Sequence, residues 1–89
     1  ANYKLFLGVD SFSFENGIST PNMEEAMLNQ AMIAQATEVI AVFDSSKFNK
    51  RSFCHIAHCE QINAIVTDRN LPSSTATRLK AKNIQLHLA

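Results

Sequence analysis

Two glycines, two cysteines and a net charge of zero already exclude several common kinds of protein. With Gly8 and Gly17 as the only glycines, neither a G-x-G-x-x-G dinucleotide loop nor a P-loop can be written in this chain. Zero net charge removes the electrostatic footprint of a nucleic-acid binder or a binder of anionic membranes. No apolar run approaches the ~20 residues of a membrane span. Cys54 and Cys59 are too few for a disulfide framework, and the opening Ala1-Asn2-Tyr3-Lys4 lacks the layout of a signal peptide, so the expected setting is cytoplasmic. At 89 residues, 46% of them hydrophobic and 18% charged, the chain reads as one globular domain or part of one. The neutral sum hides an asymmetry. Residues 1–44 carry six acids against Lys4, and residues 45–89 carry seven bases against Glu60 and Asp68, a split of −5 and +5. Complementary halves of this kind are expected to face each other within the fold or across a subunit contact.

What is present is one pattern written three times. Leu5 to Val9 runs into Asp10, Val39 to Phe43 into Asp44, and Ala64 to Thr67 into Asp68. Short, non-alternating apolar runs rich in Val and Ile predict strands covered on both faces, as in a parallel sheet between helices. Ligands of such sheets lie beyond the carboxyl ends of the strands, where this chain places Asp44, Lys47 and the other two acids. An aspartate after a strand also caps helices and makes turns, and it is the recurrence that points to a site.

Between the strands, Asn16-Gly17 predicts a turn or short hairpin, with Phe12 and Phe14 either covering the rim of the site or docking on the core. Asn22, with Glu25 as capping-box partner and acids in the first turn, predicts a helix running to about Thr37. Its stripe of Met23, Met27, Ala31 and Ala34, widened by Leu28, Met32 and Ala36, is expected to pack on the sheet and also on a second subunit. Asn49-Lys50-Arg51 reads as a basic turn, with Arg51 either solvated or assisting an anion site. Ser52 to Ala57 reads as a short strand or an irregular return. Leu71-Pro72-Ser73-Ser74 predicts a helix entry capped by Ser73 or Ser74, with the helix over Thr75–Lys82, and strict alternation over Ile84–Leu88 predicts a half-buried strand near a sheet edge. The order of elements is that of an α/β fold with a mostly parallel sheet and flanking helices. In the run from Cys54 to Cys59 the thiols and imidazoles have the wrong spacing for zinc, and Ser45, Ser46 and Cys59 have no identifiable base, so neither a metal nor a catalytic group is assigned and no cofactor is expected. Carboxylates that accept from hydroxyls, beside a lysine that neutralises phosphate, do suit a sugar phosphate.

Phe6-Leu7-Gly8-Val9-Asp10, Gly17-Ile18-Ser19-Thr20-Pro21-Asn22 with Glu24-Glu25-Ala26, Asp44-Ser45-Ser46-Lys47-Phe48 and Val66-Thr67-Asp68, in that order, resemble the C-terminal sensor domain of DeoR-family bacterial transcriptional regulators. The resemblance implies a fold like ribose-5-phosphate isomerase and the CoA transferases, and a domain that senses a phosphorylated sugar for a repressor of sugar-metabolism genes. It implies an effector site in which Asp10, Thr20 and Lys47 match pocket-lining positions and Asp44 opens the D-x-S-K segment. It also implies that residues 1–89 are the C-terminal portion of the sensor, that DNA is contacted only through a helix-turn-helix domain outside this chain, that the family's glycine-rich phosphate loop lies upstream of Ala1, and that the protein is a homo-oligomer. The chain departs from the family at Asn29-Gln30, where Lys-Arg is common, and at Asn63, where Asp is common. An isomerase-type enzyme on the same fold is the alternative reading; a receiver-like domain fits less well, because its lysine belongs after a later strand than its acid.

Overall fold

The computed structural model describes residues 2–89. In chain order the elements are β1 (Lys4–Gly8), β2 (Ser11–Ser13), β3 (Gly17–Thr20), α1 (Met23–Gln35), β4 (Glu38–Val42), β5 (Cys54–Ala57), β6 (Ala64–Thr67), α2 (Ser73–Ala81) and β7 (Gln85–Leu88), with single 3-10 turns at Ser45–Lys47 and Cys59–Gln61. The expected apolar strands, with β7 at the edge, make one four-stranded parallel sheet in the order β1-β4-β6-β7. β2, β3 and β5 form a separate antiparallel sheet.

Each crossover in the parallel sheet moves one strand further in the same direction, so right-handed connections place everything between the strands on one face. Burial agrees: Leu5, Leu7, Ala41 and Ile65 are buried on that face. Their register neighbours on the other face include Phe6, 64% exposed, and Val42, 40% exposed, and only the centre of that face, at Ile40 and Ala64, is closed. The expectation of a sheet covered on both faces is therefore corrected. The strands are apolar on both sides, but residues 2–89 supply a cover for one.

The hairpin that follows β1 is set by Gly17, at φ 75°, where a β-carbon would collide with the Ala57 carbonyl. Phe12, in the middle of β2, is fully buried against Phe14, Phe43 and Phe48 at ring distances of 5.3, 5.8 and 5.1 Å, so both Phe12 and Phe14 dock on the core. At about 1.5–3 kcal/mol for each fully buried large side chain, this cluster is what fastens the antiparallel sheet to the exit of β4.

α1 begins as expected, with Asn22 Oδ1 accepting the Glu25 N–H at 2.9 Å. The Asn22 N–H, however, turns to Thr20 Oγ1 at 3.4 Å rather than to the Glu25 side chain, so the capping is one-sided. The helix stops at Gln35 because Ala36 is extended and the Thr37 N–H is taken by the Tyr3 carbonyl at 2.8 Å. Its buried face is Ala26, Asn29 and Ile33, while Met23 and Met27 are 64% and 62% exposed. The methionine stripe expected against the sheet thus faces outward. α2 starts at Ser73 with Pro72 as its cap and no side-chain capping bond, which corrects the serine cap. It ends through Asn83 at φ 62° with the Ile84 N–H on the Leu79 carbonyl, a left-handed helix stop.

Candidate functional site

Gly8, Val42 and Val66 are register partners across β1, β4 and β6. Asp10, Asp44 and Asp68 each lie two residues further on, so the three acids form a row at the carboxyl edge of the sheet. Each is held in a different way. Asp10, itself exposed, accepts the Thr20 hydroxyl proton on Oδ2 at 3.0 Å. Thr20 is wholly buried, and its oxygen in turn accepts the Asn22 N–H, so this residue acts through Asp10 and through the start of α1. Asp44 caps the 3-10 turn, accepting the Ser46 N–H at 2.9 Å and the Ser46 hydroxyl on one oxygen. Asp68 reaches across from the end of β6, taking the Ser45 N–H on Oδ2 at 2.8 Å and the Asn70 N–H on Oδ1 at 2.9 Å.

These bonds fix the charges. The Ser46 hydroxyl and N–H hold the Asp44 carboxyl below the usual carboxylate range, and Lys47 lowers it further while Asp68 opposes. The Ser45 N–H does the same for Asp68. Both remain ionised at neutral pH. Lys47 closes the turn and is half-buried, with buried Phe48 directly after it, and among the described residues its ammonium makes no ion pair. A row of carboxylates repels an anion but accepts from hydroxyls, so the two kinds of group divide the edge between them. The acids thus offer acceptors to hydroxyl groups, and Lys47 offers a cation to an anionic group.

Beside the Asp10 end lies a groove of about 520 Å³ lined by Pro21, Arg51, Ser52 and Phe53. Ser52 joins it to the row: its hydroxyl is 2.8 Å from that of Ser11, next to Asp10, and its N–H donates to Ser19 Oγ at 2.9 Å. Asp68's grip on Ser45 and the buried serine cluster were the parts that strand-end patterns alone did not supply, since each depends on residues 23 or more positions apart. Away from this edge, the His55 and His58 rings lie 4.3 Å apart, and burial, with His58 adding, pushes His55 below its ordinary value. Among the described residues no three His, Cys, Asp or Glu side chains converge to hold a metal, and no helix is long and apolar enough to cross a membrane.

Residues 2–69 match the family profile described as the DeoR C terminal sensor domain. The chain belongs to the DeoR sensor-domain family. Across 84 residues it is 39% identical to an Escherichia coli O157:H7 protein whose name assigns it to repression of the aga operon, covering 94% of this chain and 31% of that protein. It is 34% identical over 80 residues to the HTH-type transcriptional regulator GlpR of Haloferax volcanii, covering 90% and 31%, and 38% identical over 80 residues to the HTH-type transcriptional repressor GlcR of Bacillus subtilis, covering 90% and 30%. The chain spans about a third of the length of the curated relatives it matches. As a DeoR-type domain it is a sensor rather than an enzyme. The positions at which the resemblance implies a departure from the family have structural duties here. Asn63 Oδ1 accepts the Val39 N–H at 2.7 Å, an acceptor role that an aspartate also fills. Gln30 Nε2 donates to the His55 carbonyl at 2.7 Å, tying α1 to β5.

Proposed function

We propose that residues 1–89 are the C-terminal portion of the effector-binding domain of a cytoplasmic transcriptional repressor, and that the effector is a phosphorylated sugar or a derivative of one. The observation that carries this reading is the row of Asp10, Asp44 and Asp68, each two residues past an in-register strand position, next to a lysine that makes no ion pair among the described residues. Sugar hydroxyls donate to Asp10 and Asp44, the phosphate sits at Lys47, and buried Thr20 keeps the Asp10 carboxylate turned to receive them. DNA is contacted by a helix-turn-helix domain outside this chain, consistent with the names of the relatives, and such domains read paired half-sites, so the regulator works as a homo-oligomer. Effector acts by binding one arrangement of the sensor better than another and shifting the population toward it.

The test is a thermal-shift panel of sugar phosphates against the intact regulator and its Lys47→Ala variant. A ligand at a hundredfold its dissociation constant stabilises by about 2.7 kcal/mol, a shift of several degrees. A selective shift abolished by Lys47→Ala is expected. A shift of equal size in the variant removes Lys47 from the site, and no shift with any phosphorylated sugar sinks the effector class.

A further inference from the structure

The outward face of α1 and the residues leading into β5 both expose large apolar side chains. Gln30 and the Cys54 thiol, which points to the Pro21 carbonyl at 3.9 Å, lay the helix alongside β5. On that side Met23 and Met27 are mostly exposed and Phe53 is 100% exposed, standing over the groove it shares with Pro21, Arg51 and Ser52. An apolar cluster of this kind marks a contact with further protein surface, because a lone sugar does not cover a protruding phenylalanine and two methionines.

We propose that this face is where two copies of the chain meet about a two-fold axis. Three observations select a second copy as the occupant. First, the surface is self-complementary: a protruding ring stands beside a groove, and two-fold symmetry presents each copy's ring to the other's groove. Second, its two sides carry opposite charge. Glu24 follows Met23 in the first turn of α1 and Arg51 lines the groove with Phe53, and an axis running along the helix brings the acidic side of each copy onto the basic side of the other. Third, that charge is not consumed within the fold. The sequence divides into halves of −5 and +5, yet among the described residues the one ion pair is Lys4 with Glu38, both in the acidic half. The area also suits a dimer. Phe53, Met23 and Met27 together expose roughly half of the ~800 Å² that each partner gives to a standard interface. The inference rests on the proposed function for its need of a paired sensor and names where the pairing occurs, next to the Asp10 end of the effector row.

The experiment is sedimentation of the intact regulator as wild type, Phe53→Asp, Met27→Lys, Glu24→Lys, Arg51→Glu and the double Glu24→Lys/Arg51→Glu, with the sugar-phosphate thermal shift measured alongside. Phe53→Asp is expected to weaken self-association roughly thirtyfold or more, as loss of a central aromatic anchor does. Met27→Lys and each single charge reversal weaken it less, and the double reversal restores it. Unchanged mass for Phe53→Asp and Met27→Lys overturns the proposal, as does a double reversal no better than the singles. A drop in melting temperature for Phe53→Asp at dilutions where the wild type is already monomeric also overturns it, since the ring is then covered within its own chain. Normal sedimentation effects without any sugar-phosphate shift leave the interface standing and remove the effector reading; the reverse pattern removes the interface alone.

Discussion

The two faces of the parallel sheet are built from the same kinds of residue and live in different surroundings. On one, Leu7, Ala41 and Ile65 stand in register beneath the helices and the antiparallel sheet, and all are buried. On the other, Phe6 and Val42 stand in positions of equal apolarity and are open. Side-chain chemistry is thus not what separates core from surface here; the direction in which the chain crosses over is. Three steps the same way leave the second face without an element of residues 2–89 to cover it.

The largest effect that sharpens this contrast is on the closed face. Ile65→Ala, at a fully buried position, is expected to lower unfolding stability by about 2–5 kcal/mol in denaturant titrations. Gly17→Ala follows, attacking the antiparallel sheet that helps close that face. It forces a side chain into a left-handed backbone and onto the Ala57 carbonyl, and a loss of at least ~1–3 kcal/mol by the same titration is expected. Asn22→Ala removes the capping bond of the covering helix, for about 1 kcal/mol. Phe6→Ala, on the open face, should change stability by no more than about 0.5 kcal/mol. A loss for Phe6→Ala as large as that for Ile65→Ala would break the comparison, because it would mean the open face is covered in the protein measured.

The smallest effect is one of pH. Burial holds His55 below its ordinary 6.5 in the folded state, so the unfolded chain binds more protons in the window between the two values. Stability is therefore fully present above about 6.5 and falls as the pH drops through the folded value. His55→Gln should flatten that decline in melting curves taken between neutral and mildly acidic pH; an unaltered slope would assign the acid sensitivity to other groups.

What the sequence made legible was whatever depended on local pattern. Apolar runs that stop at an acid gave the strands, their parallel pairing and the sheet edge beyond which Asp10, Asp44 and Lys47 lie. The family resemblance added Thr20, whose burial beneath Asp10 no spacing rule conveys. The orientation of α1 was illegible for a specific reason. Its buried stripe of Ala26, Asn29 and Ile33 contains an asparagine and its exposed stripe contains two methionines, so the periodic signal pointed to the wrong side. The clamp of Asp68 on the Ser45 N–H and the joining of Ser52 to Ser11 and Ser19 link residues far apart in the chain, and only the fold brings them together.

The uniform direction of the crossovers also bears on how the chain assembles. Among the described residues each parallel strand after β1 adds beside the one before it, so these four can pair in the order in which they leave the ribosome. Among residues 2–89 the pairing of β1 with β4 closes the longest loop, since Lys4 meets Glu38 across the hairpin and α1, 34 positions on, against 24 from Ile40 to Ala64 and 21 from Ala64 to Gln85.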